Sequence, residues 1–208
     1  MRHPSGKIAG ILFLVASTQF ILGLIVAEAS HPGYSISDNY ISDLGVGPSS
    51  MIFNSSIFLL GLLSIIGAYF LPRTINFRAL SVLLALMSIG AMGAGVFTKN
   101  SAAIHGVVSS TAFLFGGLSA IASFKVLKMP LSMMSVILGL IVLGALGLFA
   151  GGLLASGSFT EIEAQDSVFF LGLGPGGMER MIVYPALIWL AGFSGHLIAL
   201  PEKQATQE

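Results

Sequence analysis

Along the chain, long apolar stretches alternate with short polar ones, and six stretches are long enough to cross a membrane: residues 8–27, 51–71, 79–97, 106–127, 131–155 and 181–200. Each comes close to the roughly 20 apolar residues that span about 30 Å of hydrocarbon at about 1.5 Å per helical residue. A water-facing helix of that length would carry a polar stripe every third or fourth position, and none of the six does. The pattern predicts an all-α fold: a polytopic integral membrane bundle of about six transmembrane helices, built as a single transmembrane domain over residues 1–208. The first stretch also invites comparison with a secretory signal, because Arg2 and Lys7 precede it and Ala27-Glu28-Ala29 follows. Its apolar run exceeds the roughly 7–15 residues of a signal core, so a retained helix is expected.

Composition narrows the classes. Charged residues make up 9% of the chain, against about a quarter in soluble domains, too few to coat a water-facing surface. The net charge is zero and no basic patch is interleaved with aromatics, which excludes nucleic acid as a partner. There are no cysteines, so disulfides, thiolate metal sites, iron–sulfur clusters and cysteine nucleophiles are excluded. No zinc-protease, Walker, nucleophile-elbow or dinucleotide motif occurs, and no cofactor is predicted.

Basic residues set the expected orientation. With the N-terminus inside, the inner segments hold Arg2, Lys7, Arg73, Arg78, Lys125, Lys128 and Lys203, and the outer ones only Lys99 and Arg180. The acidic residues Glu28, Asp38, Asp43, Glu161, Glu163, Asp166 and Glu179 fall outside, with Glu202 and Glu208 inside. The expectation is a multi-pass protein of the cell membrane with both termini cytoplasmic, and membrane lipid as its first partner.

Small residues predict how the helices pack, since the hydrophobic effect does little between helices in lipid. Gly90, Gly93 and Gly95 mark the third span, Gly139, Gly144, Gly147, Gly151 and Gly152 the fifth, and Gly192 and Gly195 the sixth. Packing within the bundle is the first reading of all of them; a homo-oligomer or another protein partner is the second.

The chemistry-bearing residues gather at one surface. The first long outer loop, 29–50, carries Asp38, Asn39 and Asp43; Asn54 follows one turn into the second span. Lys99 and His105 precede the fourth span, and Glu179 with Arg180 precedes the sixth. An internal echo joins the two long outer loops: Leu44-Gly45-Val46-Gly47-Pro48-Ser49-Ser50-Met51 and Leu171-Gly172-Leu173-Gly174-Pro175-Gly176-Gly177-Met178 both read LGxGPxxM and both lead into a helix. Glycine permits a tight turn there and proline suits a first helical turn. Helix N-termini with Lys99 and Arg180 would suit an anion such as a lipid phosphate; Asp43, Glu179 and His105 would suit a cation or acid–base work; and the same charges would also lock the bundle by pairing. His196 stands alone near the inner end of the sixth span, where a packing role is expected, and Asn54-Ser55-Ser56 matches a glycosylation acceptor only at a helix start.

Ile41-Ser42-Asp43-Leu44-Gly45, Asn54, His105-Gly106, Glu179-Arg180, Tyr184-Pro185 and Trp189 resemble a prokaryotic membrane family, domain of unknown function 998, over nearly the whole chain. The resemblance implies a six-helix protein of archaea or bacteria, with no established activity, and marks Asp43, Asn54, His105, Glu179 and Arg180 as its recurrent polar positions. Taken together, the leading expectation is an outer-face polar cluster of Asp43, Asn54, His105, Glu179 and Arg180, flanked by Lys99, Asp38 and Asn39, that binds a ligand, an anionic headgroup or a protein partner. Two alternatives stay open: an enzyme acting on lipid or an exported intermediate through His105, Asp43 and Glu179, and an accessory subunit in which the cluster is a lock. A transporter or channel ranks below them, because almost no charge lies at depth.

Overall fold

The computed structural model describes residues 5–73, 77–156 and 168–200. Arg2, Glu161, Glu163, Asp166, Glu202, Lys203 and Glu208, used above for orientation, lie outside the described residues.

Six helices are long and apolar enough to cross a membrane: α1 (Ser5–Ser30), α2 (Ser50–Phe70), α3 (Arg78–Val96), α4 (Ala102–Ala122), α5 (Leu131–Ser156) and α6 (Gly174–Ala199). Each packs against the next along the chain, α6 returns to α1 to close the ring, and α6 also leans on α4. Half of the α6 span is buried but only 22% of the α5 span, so α6 is the most enclosed wall and α5 the most peripheral. Large apolar side chains such as Ile11, Leu22, Val82, Leu140 and Ile188 point outward, an arrangement that suits lipid and not water.

The boundaries moved where polar first turns hid from a hydropathy reading. α6 starts at Gly174, not 181, and α4 starts at Ala102 and ends at Ala122, not 106–127. In consequence His105, Glu179 and Arg180 sit within helices, not in front of them. The repeated LGxGP segments share the conformation of one residue, the glycine before the proline, and differ before it: Leu44 and Gly45 close a 3₁₀ turn, whereas Leu171 and Gly172 are both left-handed. Gly47 (φ +79°) and Gly174 (φ +72°) each adopt a left-handed conformation immediately before a proline, which glycine alone occupies at little cost. The second proline then stands in the first turn of α6.

The seams are pinned by glycines. A β-carbon on Gly61 of α2 would lie 2.5 Å from Ser88 O of α3, one on Gly90 of α3 2.5 Å from Ala112 N of α4, and one on Gly139 of α5 2.7 Å from Gly117 O of α4. The expected role of Gly90, Gly93 and Gly95 is thus seen directly, since all three meet α2 or α4. Gly144, Gly147, Gly192 and Gly195 differ from expectation: nothing lies within 4 Å of the added carbon. The Gly147-to-Gly151 spacing therefore forms no helix–helix seam among the described residues: Gly147 turns away from the ring, and Gly151 meets the Phe169 side chain (3.2 Å) in the segment before α6.

The core runs through Phe13, Phe20 and Leu24 of α1, Phe53 and Leu60 of α2, Leu84 of α3 and Trp189, Leu190 and Phe193 of α6. Two polar groups are bonded between elements: Gln19 Nε2 of α1 donates to Ser56 O of α2 (2.9 Å), and Trp189 Nε1 of α6 to Ser123 Oγ just after α4 (2.9 Å). In hydrocarbon such bonds replace those that water cannot supply.

Candidate functional site

At one end of the ring the α1–α2 loop folds across the helices and is clamped from three sides. Its single 3₁₀ turn, Ile41–Gly45, is capped by its own Asp43, whose Oδ2 accepts from Tyr40 N (2.8 Å). Asp43 Oδ1 pairs with Lys99 Nζ at 2.6 Å, and the same ammonium lies 4.6 Å from the centre of the Tyr40 ring. From α2, Asn54 Nδ2 donates to Gly45 O (3.0 Å). From α6, the buried Glu179 carboxylate accepts from Ile41 N and, at 3.4 Å, from Ser42 N. Asp38 and Asn39 serve the loop itself: Asp38 accepts from Ser35 Oγ (2.7 Å) and Asn39 Oδ1 from Ser35 N (2.9 Å).

Glu179 and Arg180 are neighbours in sequence and point apart, because consecutive residues of a helix stand about 100° from each other around its axis. Arg180 turns toward α1. It is bonded to Glu28, Tyr34 Oη (3.0 Å), Ile36 O (2.8 Å) and Gly176 O (3.0 Å). Burial pushes the Tyr34 phenol up to about 12, against the lowering influence of Arg180. The phenol therefore keeps its proton at neutral pH and donates it to Tyr40 O (3.0 Å). Arg180 and Glu28 are thus a buried lock between α6 and α1, and Glu28 and Tyr34 are the members of it that the sequence did not single out.

His105 occupies the second turn of α4, on the other side of the loop. Its Nδ1 lies 2.7 Å from Phe97 O, the carbonyl at the C-terminal end of α3. A carbonyl only accepts, so Nδ1 carries the hydrogen and Nε2 is the free acceptor. Ser109, one turn further along α4, places Oγ 3.2 Å from that Nε2.

Two hollows meet at these side chains. A cleft of about 550 Å³ opens between α4, α5 and α6, walled by Leu146, Phe149, Leu153 and Ile182, with Lys99 at its polar rim. A smaller cavity of about 80 Å³ lies inside the ring between Phe20, Phe53, Leu60, Met87 and Leu190. Ser42, His105, Ser109, Phe113 and Glu179 line both. The expected cluster is therefore divided. Asp43 and Lys99 form one pair, and His105 and Glu179 share a wall without a hydrogen bond between them among the described residues. Arg180 belongs to the lock, and Asn54, Asp38 and Asn39 shape the loop. No set of three His, Asp or Glu side chains able to hold a metal ion occurs among the described residues.

The family model described as protein of unknown function (DUF998) matches residues 14–196. The chain belongs to this family. The matched range takes in both hollows, the clamped loop and the Arg180 lock, so the DUF998 region and the site region coincide. No curated protein and no solved structure matches the chain. For this DUF998 member, then, function is read from the geometry of its own site. Ser109 was missed because serine is common in these spans, and Ser42 because its loop is itself rich in serine; the spacing of His105 and Ser109, four apart on one helical face, was the available signal.

Proposed function

We propose that this protein is an integral protein of the cell membrane that binds an amphiphilic small molecule, with its polar end outside and both termini cytoplasmic. The observation that carries the binding reading is the cleft between α4, α5 and α6: about 550 Å³, apolar along α5, and polar where Lys99, His105, Ser109 and Glu179 border it. Ligand pockets have this make-up, mostly apolar walls with a few placed polar groups. An acyl or isoprenoid chain suits the Leu146, Phe149 and Leu153 wall, and a headgroup suits the rim. The peripheral α5 supplies a route in from the bilayer without passage through water.

Gly106 provides the test, because it lines the cleft and an added side chain there meets nothing within 4 Å. Native mass spectrometry of the purified wild type should show a retained lipid-sized adduct, and Gly106→Leu should lose it with unchanged thermal stability. An adduct of equal occupancy in both proteins, or in neither, would sink the binding reading. The chain has no cysteine, so orientation is read separately: a membrane-impermeant maleimide should label Pro32→Cys on whole cells and leave Phe124→Cys unlabelled. The reverse result would invert the topology.

A further inference from the structure

Serine and threonine hydroxyls in lipid-embedded helices ordinarily bond back to the carbonyl three or four residues earlier. This chain follows that habit at Ser17, Ser55, Ser56, Ser88, Thr111 and Ser194. Ser109 departs from it: its hydroxyl is aimed at His105 Nε2, at 3.2 Å. The ring is oriented in turn by Phe97 O at 2.7 Å. Hydroxyl, imidazole base and an orienting acceptor in series are the parts of an activated nucleophile. The orienting group is the Phe97 carbonyl just past the end of α3, and its hydrogen bond to Nδ1 holds the ring with Nε2 turned to the hydroxyl. In serine hydrolases a buried aspartate orients the imidazole in this way and adds a full negative charge.

The position of the pair agrees with that chemistry. Ser109 borders both the cleft and the inner cavity, so a bound amphiphile crossing from one to the other would lay its linkage against the hydroxyl. We infer that Ser109 and His105 are a nucleophile and general base that cleave a long-chain carboxylic ester held in the cleft, an inference that rests on the binding reading above. Ser109 Oγ attacks the ester carbonyl carbon while His105 Nε2 takes the hydroxyl proton. The tetrahedral adduct collapses, the C–O bond to the alcohol breaks, and His105 returns the proton to the departing alkoxide. Water then attacks the acyl-serine carbonyl, again giving its proton to His105; the bond from the acyl carbon to Ser109 Oγ breaks, His105 returns the proton to Oγ, and the products are a carboxylic acid and regenerated Ser109.

The test uses the full chain in lipid nanodiscs and a dodecyl fluorophosphonate, which forms a P–O bond to an activated serine as fluoride leaves. Peptide mass spectrometry should find the adduct on Ser109. Ser109→Ala should abolish it, and His105→Gln should slow labelling by about 10²–10⁴-fold, the range of general-base assistance. Thr111→Ala should label at the wild-type rate. Hydrolysis of p-nitrophenyl dodecanoate should follow the same order. Labelling of another residue, no labelling at all, or an unchanged rate in His105→Gln would each overturn the inference. Lipid retained by the wild type and expelled by Gly106→Leu, with no adduct on Ser109, would remove the nucleophile and leave the binding reading standing. Failure to retain any lipid would fall on the binding reading instead.

Discussion

The lock between α1 and α6 gives the most direct test of the fold, because it closes the ring. Arg180 and Glu28 are 7% and 17% exposed, and the guanidinium also holds Tyr34 Oη, Ile36 O and Gly176 O. Arg180→Ala removes all four interactions and leaves the Glu28 carboxylate and two loop acceptors without their donor. Breaking a buried ion pair from one side costs about 3–5 kcal/mol. For a chain of this size each kcal/mol moves the melting temperature by roughly 2–4 °C, so a fall of about 6–20 °C is expected. Thermal unfolding in a mild detergent, followed by far-UV circular dichroism, would measure it. The double variant Glu28→Gln with Arg180→Met should recover part of the loss, because a neutral pair of similar length leaves no buried charge unpaired. A fall of less than about 2 °C for Arg180→Ala, or a double variant worse than both singles combined, would refute the account of Arg180 as a lock.

Two further outcomes follow from packing. Gly90→Ala drives its β-carbon to 2.5 Å from Ala112 N and should destabilise by about 1–3 kcal/mol, whereas Gly144→Ala, with nothing within 4 Å, should be neutral or stabilising by under about 1 kcal/mol; equal effects in reversible detergent unfolding would contradict the seam assignment. Ser123→Ala takes the acceptor from the buried Trp189 indole (2.9 Å) and should cost about 1–3 kcal/mol, with a change in tryptophan emission marking the altered environment; an unchanged spectrum and midpoint would show that the bond contributes nothing.

The six helices were legible because hydropathy over about 20 residues is a strong and local signal. The α3 glycines were legible for a related reason: Gly90, Gly93 and Gly95 crowd three small residues into less than two turns, so neighbours approach from more than one side. In α5, Gly139 meets α4 whereas Gly144 and Gly147 meet nothing, because which side of a helix meets the ring depends on the whole bundle and not on the spacing of Gly147 and Gly151. The polar end shows the limit more sharply. Glu179 and Arg180 looked like one feature in sequence, yet adjacency on a helix is divergence in space, and each found partners in a different part of the chain. Arg180 reached Glu28 only because α6 closes on α1. His105 and Ser109 were readable as an i, i+4 pair, but what distinguishes them from a packing contact is Phe97 O, a backbone atom with no side-chain signature. That carbonyl fixes the tautomer and leaves Nε2 facing the hydroxyl. The residue types at this end were therefore visible in the sequence, while their arrangement depends on a main-chain group that the α3–α4 turn delivers. Substitutions at Phe97 that keep the backbone should accordingly leave the His105–Ser109 geometry intact, whereas a change of turn length between α3 and α4 should destroy it.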